Sequence, residues 1–262
     1  MLFLPGYMMS TYKHYDLGNN SSLLYFEKFL DGKHAAEYLQ SLDSNLPWTR
    51  PTLTIFGRKC EQPRETCYVA DKGLPMYKYS GYQPVVHKWD DYPVLKSIVD
   101  AVHLALPSDK FNSVLINRYK SGNDYAAWHA DDEKLYGPTP TIASVTLGTE
   151  REFLIRRKGN KSPQINSNTH KPAVADKQNI NNAFDVLITN SAQQTCKPKR
   201  KSCDVLTVGK PSGELYSFML KHGSLFVMKG YTQRDWEHCV PKRKRASGLR
   251  INLTFRYINH ER

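Results

Sequence analysis

The second half of the chain alternates between apolar and polar residues, and this pattern predicts β-strands. The first half instead contains two stretches in which apolar residues recur at helical spacing, over residues 23–46 and 92–106, each closed by a proline. A fold of the α+β class, mainly β, is therefore expected. The stretches predicted to be strands are residues 51–56, 111–119, 141–147, 151–157 and 214–229, together with Arg250–Arg256.

Other segments lack a regular pattern. Residues 1–20 are predicted to form a loose leader, and residues 58–82, which are rich in Tyr, Arg and Pro, a loop. Residues 148–150 lie between two predicted strands and indicate a hairpin turn. Residues 158–212 are rich in Asn, Lys, Ser, Gln and Pro and hold too few apolar residues to order themselves, so we expect a flexible insert there.

At 262 residues the chain can bury a substantial core, either as one large β-rich domain or as two small ones. By segment, residues 1–50 would hold the leader and the first helix, and residues 51–110 the loop and the second helix. Residues 111–257 would form the β-rich core, which the insert interrupts. No apolar run reaches the length of a membrane span, so no membrane association is expected.

The charge balance favours a polyanionic partner. Lys and Arg number 37 against 25 Asp and Glu, which gives a net charge of +12, and nucleic acid is the simplest partner for such a surplus, although solvated segments can hold part of it. A basic run at residues 197–201 indicates nuclear import, with a DNA tether or simple solubility as alternatives, and a second run at residues 242–245 indicates contact with phosphates. Five cysteines without a CxxC pair indicate a reducing compartment.

One predicted strand, Arg250–Arg256, carries an unusual set of polar side chains on one face. Guanidinium groups are costly to bury unless they meet carboxylates, which they bind bidentately. A dicarboxylate cosubstrate such as 2-oxoglutarate would satisfy both arginines of this face. The polar residues that alternate with its apolar ones are Arg250, Asn252, Thr254 and Arg256.

A candidate metal site lies upstream of this strand. His129 and Asp131 are two residues apart, so on an extended strand both side chains point to the same face, and His238 would complete a set of two histidines and one carboxylate. This set leaves about three positions open on Fe(II), as oxygen activation requires. An isolated His-x-Asp is more often a surface pair, and a zinc hydrolase can use the same ligands. The paired arginines favour an iron oxygenase, because a hydrolase has no use for them.

Together these motifs resemble the AlkB-type Fe(II)/2-oxoglutarate dioxygenases. The resemblance is strongest to the nuclear DNA-repair branch, and the motif sequences look like those of plant members. The resemblance covers about residues 56–257, apart from the insert. It implies a double-stranded β-helix, or jelly-roll, core with helices packed on one side, and a nucleotide-recognition lid within residues 51–110. The segments that carry it are FNSVLINRYKSGNDYAAWHADDE, GPTPTIASVTLG, REFLIRRK, LKHGSLFVMKGYTQRDWEHCVPKR and RINLTFR.

The resemblance also implies roles for individual residues. The three candidate metal ligands would bind Fe(II), and Arg250 would bind the distal carboxylate of 2-oxoglutarate, the cosubstrate used together with O2. Asn117 and Tyr119 share one face of a strand and are implied to bind 2-oxoglutarate; the alternative is that their polar groups only form hydrogen bonds within the protein at the edge of the strand. The residues implied to hold the rest of 2-oxoglutarate are Asn117, Tyr119, Asn252, Thr254 and Arg256.

For the substrate, the resemblance implies a damaged base that is flipped out of a duplex. Phe56 would wedge into the space that the base leaves. A methylated adenine or cytosine is cationic, so stacking on an electron-rich tyrosine ring is favourable, although aromatic side chains in loops often serve packing alone. The residues implied to contact the base or the nearby DNA are Arg64, Tyr77, Tyr79, Ser80 and Glu133.

The implied function is oxidative demethylation of 1-methyladenine and 3-methylcytosine in DNA, with formaldehyde, succinate and CO2 as products. We expect a nuclear repair enzyme that acts as a monomer on double-stranded DNA. Two alternatives stay open: a dioxygenase that acts on RNA or on a protein side chain, and a non-catalytic nucleic-acid-binding protein on the same fold. The complete metal set and both arginines count against the binding protein, and the pocket aromatics favour a base over a protein.

Overall fold

Two β-sheets that face each other form the centre of the protein. A computed structural model describes residues 6–7, 11–55, 57–159 and 214–259. In chain order its strands are β1 (Lys13–Asp16), β2 (Ser21–Phe26), β3 (Thr52–Ile55), β4 (Arg58–Glu61), β5 (Glu65–Ala70), β6 (Val86–His87), β7 (Ser113–Tyr119), β8 (Ala126–His129), β9 (Ile142–Gly148), β10 (Arg151–Arg157), β11 (Leu215–Leu220), β12 (Ser224–Gly230), β13 (Trp236–Val240) and β14 (Arg250–Arg256). The α-helices of the same residues are α1 (Gly32–Asn45), α2 (Pro93–Ala105) and α3 (Thr232–Asp235).

The order of the strands is that of the predicted double-stranded β-helix. The larger sheet has the order β1-β2-β12-β9-β14-β7-β5-β6, and the smaller sheet has the order β11-β10-β13-β8. From β7 onward, successive strands therefore alternate between the two sheets, except that β10 and β11 are neighbours in the smaller one. An apolar core that includes Phe153, Phe226 and Trp236 fills the space between the sheets.

Both long helices pack on the outer face of the larger sheet, as expected. Leu42 of α1 and Ile98 of α2 share a buried cluster with apolar residues of β9 and β14, such as Val145 and Leu253. Since the apolar residues of β14 point to the helices, the polar residues of this strand face the smaller sheet. The helices thus determine which face of β14 is available to a functional site.

The first helix is shorter than predicted, because residues 23–31 do not belong to it. β2 occupies Ser21–Phe26 and lies between β1 and β12. Leu23 and Tyr25 are in the core between the sheets, whereas Leu24 packs on the helix side, which is the alternation of a strand. An aspartate before α1 accepts a hydrogen bond from a backbone N–H of the first turn and marks the true start of the helix.

The prediction of a loop over residues 58–82 is wrong in its first part. β4 pairs with β3, which confirms the strand expected at residues 51–56, and β5 lies between β7 and β6 in the larger sheet. β5 is buried on both faces from Thr66 to Ala70, so it lacks the alternation that identifies a strand with one face in water. β1 likewise lies within the stretch expected to be a loose leader.

The turn predicted at residues 148–150 does not form a hairpin. β9 belongs to the larger sheet and β10 to the smaller one, so the chain crosses between the sheets here. Gly148 has a φ of 84°, and the N–H of Thr149 donates to the carbonyl of Leu249 at 2.7 Å. A Cβ at Gly148 would overlap that carbonyl oxygen, so the crossing requires glycine.

Strands from all three expected segments of the chain lie in the larger sheet. β1 and β2 come from residues 1–50, β5 and β6 from residues 51–110, and the others from residues 111–257. The insert beyond residue 159, including its basic run at residues 197–201, lies outside the described residues. Within the described ranges no helix is long and apolar enough to cross a membrane, and the cysteines there are free thiols.

Candidate metal and cosubstrate site

The three candidate metal ligands come together on two neighbouring strands of the smaller sheet. β8 ends at His129, with Asp131 just beyond it, and His238 of β13 is paired with His129. One ligand atom of each side chain lies within 4.8 Å of the others, and the centroids of the two imidazole rings are 4.4 Å apart. Strand pairing therefore assembles ligands that are far apart in the sequence.

The protonation states of the buried ligands suit metal binding. Burial and the neighbouring His129 lower the pKa of His238 to about 3, so its ring is neutral at physiological pH. Burial alone would raise the pKa of Asp131, but the Arg256 guanidinium and the two histidines outweigh burial and lower this pKa to about 2. Metal ligands must be deprotonated, and both side chains meet this condition.

Each ligand also has an atom available to coordinate a metal ion. Nδ1–H of His129 donates to the carbonyl of Ala127 at 2.7 Å, which leaves the lone pair of Nε2 available. Oδ1 of Asp131 accepts from Nη2 of Arg256 at 2.8 Å. The other carboxylate oxygen of Asp131, Oδ2, is buried without a hydrogen-bond partner among the described residues and lies 4.0 Å from Nε2 of His238. A buried, unpaired carboxylate oxygen is costly unless a cation binds it, so these residues fit a metal ion.

A second unsatisfied group lies on the polar face of β14. Arg250 is 1% exposed, and its Nη2 donates to Oδ1 of Asn252 at 2.7 Å and to Oγ1 of Thr146 at 3.2 Å. Its Nε and Nη1 have no partner within the described part of the chain. Burial lowers the pKa of Arg250 to about 10, so the side chain stays charged at neutral pH. A buried guanidinium with two free nitrogens is suited to bind a carboxylate.

β7 brings the other predicted cosubstrate residues to the same place. Tyr119 is paired with Arg250 and Asn117 with Asn252 across the two strands, and the Arg250 guanidinium lies 5.0 Å from the centroid of the Tyr119 ring. Nδ2 of Asn252 donates to Oγ1 of Thr254 at 3.0 Å. All six residues predicted to hold the cosubstrate therefore lie on two neighbouring strands.

Aromatic rings from the lid segment cluster next to the metal ligands. Tyr77 lies between Tyr79 and Tyr136, with ring centroids 5.7 and 6.2 Å away, respectively. The Arg256 guanidinium, which binds the carboxylate of a metal ligand, lies 5.5 Å from the Tyr136 ring centroid. Ser80 has a φ of 45° in the turn that follows Tyr79. The predicted wedge residue at position 56, Phe56, lies outside the described residues.

Glu133 contributes a carboxyl group to this cluster. Its Oε2 is buried and has no partner among the residues that the structure describes. Burial and the nearby Asp131 carboxylate raise the pKa of Glu133 to about 7. A cation or a hydrogen-bond donor that enters the cluster would therefore favour the ionised form of Glu133.

Arg64 points inward and joins the lid segment to the core. Its Nε donates to Oδ1 of Asn117 at 2.6 Å, and its Nη1 donates to the carbonyl of Tyr125 at 3.2 Å. This contact is not predictable from the sequence, because Arg64 and Asn117 belong to different predicted segments. They meet since β5 and β7 are neighbours in the larger sheet.

Two residues at the aromatic cluster, one of its rings and one hydrogen-bond partner, were not predicted from the sequence. Tyr136 lies in a short 3-10 helix, and Oε1 of Gln62 accepts a hydrogen bond from the Tyr79 hydroxyl at 2.8 Å. Neither residue is part of a spaced motif. The only signal available was their nearness in sequence to Arg64 and Glu133.

Comparison with known proteins decides the family. The model of the 2OG-Fe(II) oxygenase superfamily matches residues 22–256. The chain belongs to this superfamily. It is an Fe(II)- and 2-oxoglutarate-dependent oxygenase, as the sequence predicted, and Fe(II), 2-oxoglutarate and O2 are its cofactor and cosubstrates.

Its relatives assign this oxygenase to the AlkB-type branch, which confirms the predicted family. It is 47% identical to the DNA oxidative demethylase ALKBH2 of Arabidopsis thaliana, over 94% of this chain and 69% of the relative. Identity is 31% with ALKBH2 of Homo sapiens, over 86% and 69%, and 30% with the human alpha-ketoglutarate-dependent dioxygenase alkB homolog 3, over 91% and 66%. The oxygenase thus spans about two thirds of the length of these relatives.

Asp131 is a candidate ligand and also the partner of Arg256, so its removal should have two effects. We expect Asp131→Ala to abolish Fe(II) binding and to destabilise the metal-free protein by about 3–5 kcal/mol, because Arg256 is left buried without its carboxylate. His129→Ala, at the exposed edge of the site, is the control. It should weaken metal binding but change the free energy of unfolding by less than about 1 kcal/mol. Urea unfolding with a chelator present, combined with metal titration, measures both effects. Equal stability of the two variants would contradict the role given to Asp131.

Proposed function

We propose that the oxygenase is a DNA-repair enzyme that removes methyl groups from 1-methyladenine and 3-methylcytosine in double-stranded DNA. The observation that carries this proposal is the cluster of Tyr77, Tyr79 and Tyr136 beside the metal ligands, with the buried carboxyl group of Glu133. A methylated adenine or cytosine is flat and cationic, so it stacks favourably on tyrosine rings and is attracted by a carboxylate. The relatives named DNA oxidative demethylases support the same substrate class.

In this proposal Arg250 binds the distal carboxylate of 2-oxoglutarate through Nε and Nη1. The contacts of its Nη2 with Asn252 and Thr146 fix the guanidinium before the cosubstrate arrives, which reduces the entropy lost on binding. Asn117 and Tyr119 hold the remainder of the cosubstrate from β7. Thr254 keeps Asn252 oriented, and Arg256 does the same for the metal-binding aspartate.

The residues of the chain position the reactants and the base. When bound, Fe(II) supplies the activation of O2 for hydroxylation of the N-methyl carbon, with 2-oxoglutarate oxidised to succinate and CO2. The hydroxymethyl group then leaves the base nitrogen as formaldehyde, and the base is restored. The tyrosine cluster holds the flat base, while Glu133 accepts a hydrogen bond from its exocyclic amino group and balances its charge.

A basic loop after β13 is the proposed contact with the DNA backbone. Gly122 fixes this loop, because its N–H donates to the carbonyl of Ala246 at 2.9 Å and its carbonyl accepts from the N–H of Arg243 at 2.8 Å. Cations held on a fixed loop are suited to bind phosphates. The exposed cations of the loop are Lys242, Arg243, Lys244 and Arg245.

Two further features complete the proposal. Phe56 wedges into the duplex where the base has left, and Arg64 contacts the DNA nearby. The enzyme works in the nucleus, for which support comes from the DNA substrate of the named relatives and from the basic run at residues 197–201. Its expected form in this proposal is a monomer.

Release of formaldehyde and succinate tests the reaction. With Fe(II) and 2-oxoglutarate, the purified protein should release both from oligonucleotides that carry 1-methyladenine or 3-methylcytosine. The His129→Ala variant should lose at least about 100-fold in rate while it still binds the DNA, because the metal site is lost and the basic loop is intact. Consumption of 2-oxoglutarate without methyl loss would overturn the proposed substrate, and a faster reaction on matched RNA would favour an RNA demethylase.

The wedge role of Phe56 predicts a difference between duplex and single-stranded substrates. Phe56→Ala should slow demethylation of the duplex by about 10-fold or more and leave the single-stranded rate nearly unchanged, because only the duplex must be held open. Initial rates on matched oligonucleotides measure this ratio. Equal losses on both substrates would assign Phe56 a packing role instead.

Loss of the buried guanidinium should affect cosubstrate binding selectively. Arg250→Met should raise the KM for 2-oxoglutarate by at least about 100-fold, because two charge-assisted hydrogen bonds to its carboxylate are lost. Arg156→Met is a matched control, since Arg156 is half-exposed and binds Glu237 and the ring of Trp128. Steady-state kinetics with varied 2-oxoglutarate measures both variants, and an unchanged KM in Arg250→Met would exclude this binding role.

A further inference from the structure

The short helix α3 contacts the segment after β8 that carries the metal ligand Asp131. Oε1 of Gln233 accepts a hydrogen bond from the backbone N–H of Asp131 at 3.0 Å. Gln233 is 1% exposed, so water does not compete for this bond. The strand β13, which carries His238, begins directly after α3. One side chain thus links the segments that hold two of the three ligands.

The orientation of the Gln233 amide follows from its partners. The backbone N–H of Asp131 is a donor, so it must face the oxygen of the amide and not the nitrogen. Nε2 points the other way, to Sδ of Met228 at 3.4 Å and to Oγ1 of Thr232 at 3.3 Å. Both ends of the amide are therefore occupied, and the side chain has one favourable orientation.

A second contact connects the same two segments. Nζ of Lys158 donates to the backbone carbonyl of Gln233 at 2.8 Å and to Oδ2 of Asp132 at 3.2 Å. Asp132 directly follows the metal ligand but is exposed, so its ion pair contributes little on its own. The buried bond of Gln233 is the stronger constraint on the backbone at Asp131.

Two bonds together determine where the Asp131 carboxylate points. Arg256 holds Oδ1 of its side chain, and Gln233 holds its backbone. With both in place, the unpaired Oδ2 faces Nε2 of His238. Without Gln233 the segment that carries Asp131 would be free to move relative to β13, and the ligand atoms would no longer be kept at the short spacing that a single ion needs.

We propose that Gln233 is a positioning residue for the metal centre, which sets the placement of Asp131 relative to His238 before the metal binds. Partners that hold metal ligands from outside typically change metal affinity by about 10–100-fold when they are removed. The alternative is that Gln233 only satisfies a buried N–H group, in which case its loss would lower stability and leave metal affinity unchanged.

Metal titration of the full chain separates the two roles, and it does not depend on which nucleic acid is the substrate. Binding of Mn(II), followed by the loss of the free-ion signal in electron paramagnetic resonance, should be about 10-fold or more weaker in Gln233→Met, which lacks the acceptor. Gln233→Glu keeps an oxygen at the same reach and should bind within about 3-fold of the wild type. Thr232→Ser, a buried change on the same helix that keeps the hydroxyl bound by Gln233, is the control and should also stay within about 3-fold.

Three results would overturn the proposal. They are wild-type Mn(II) affinity in Gln233→Met, an equal loss in Thr232→Ser, and a loss in Gln233→Glu as large as that in Gln233→Met. Urea unfolding of the metal-free variants shows whether each one is folded. Should Gln233→Met not fold, Gln233→Asn keeps the amide but is too short to reach Asp131, and the same weakening of about 10-fold is expected of it.

Discussion

Two guanidinium groups buried on the central strand β14 are the constraint on which the rest of the site depends. A buried cation is strongly destabilising unless a nearby anion balances it. Arg256 meets this need with Asp131, at 2.8 Å, and so orients one of the metal ligands. Arg250 has no carboxylate partner among the described residues. Among the described residues Arg250 therefore lacks a balancing anion, which the carboxylate of the cosubstrate would supply in the proposed binding mode.

The crossing of strands between the sheets explains why both guanidinium groups face the sheet that carries the metal ligands. β14 lies in the larger sheet, with its polar face toward the smaller one, and β8 and β13 of the smaller sheet carry the ligands. The apolar core between the sheets continues up to the site, where the ring of Phe153 stacks on His238 at 5.2 Å between centroids. That contact removes water from one side of the ligand and contributes to the low pKa of its imidazole.

The chemistry of the site could be predicted from the sequence because it rests on short-range patterns. The two-residue spacing of His129 and Asp131 and the alternation along β14 both survive in the structure. The errors concern elements whose state depends on distant partners. β2 has apolar residues that fit a helix as well as a strand. β5 is buried on one face by the cluster that includes the helices and on the other by a cluster that includes Tyr136, which lies far from it in the sequence. Gln62, Tyr136 and Gln233 belong to no spaced motif, so only the folded chain shows their contacts.

The same dependence on distant partners connects the lid to the cosubstrate site. Arg64 lies in the lid segment, yet it donates to Asn117 on β7, and β5 holds both in place through the pairing of Thr66 with Asn117. A contact between Arg64 and DNA would therefore compete with its bonds to Asn117 and to the carbonyl of Tyr125. Since Asn117 is a proposed cosubstrate residue, a contact of Arg64 with DNA and the binding of the cosubstrate would both involve the side chain of Asn117. In the proposed function, DNA binding and cosubstrate binding would thus be linked by one half-buried polar contact as well as by the sheet.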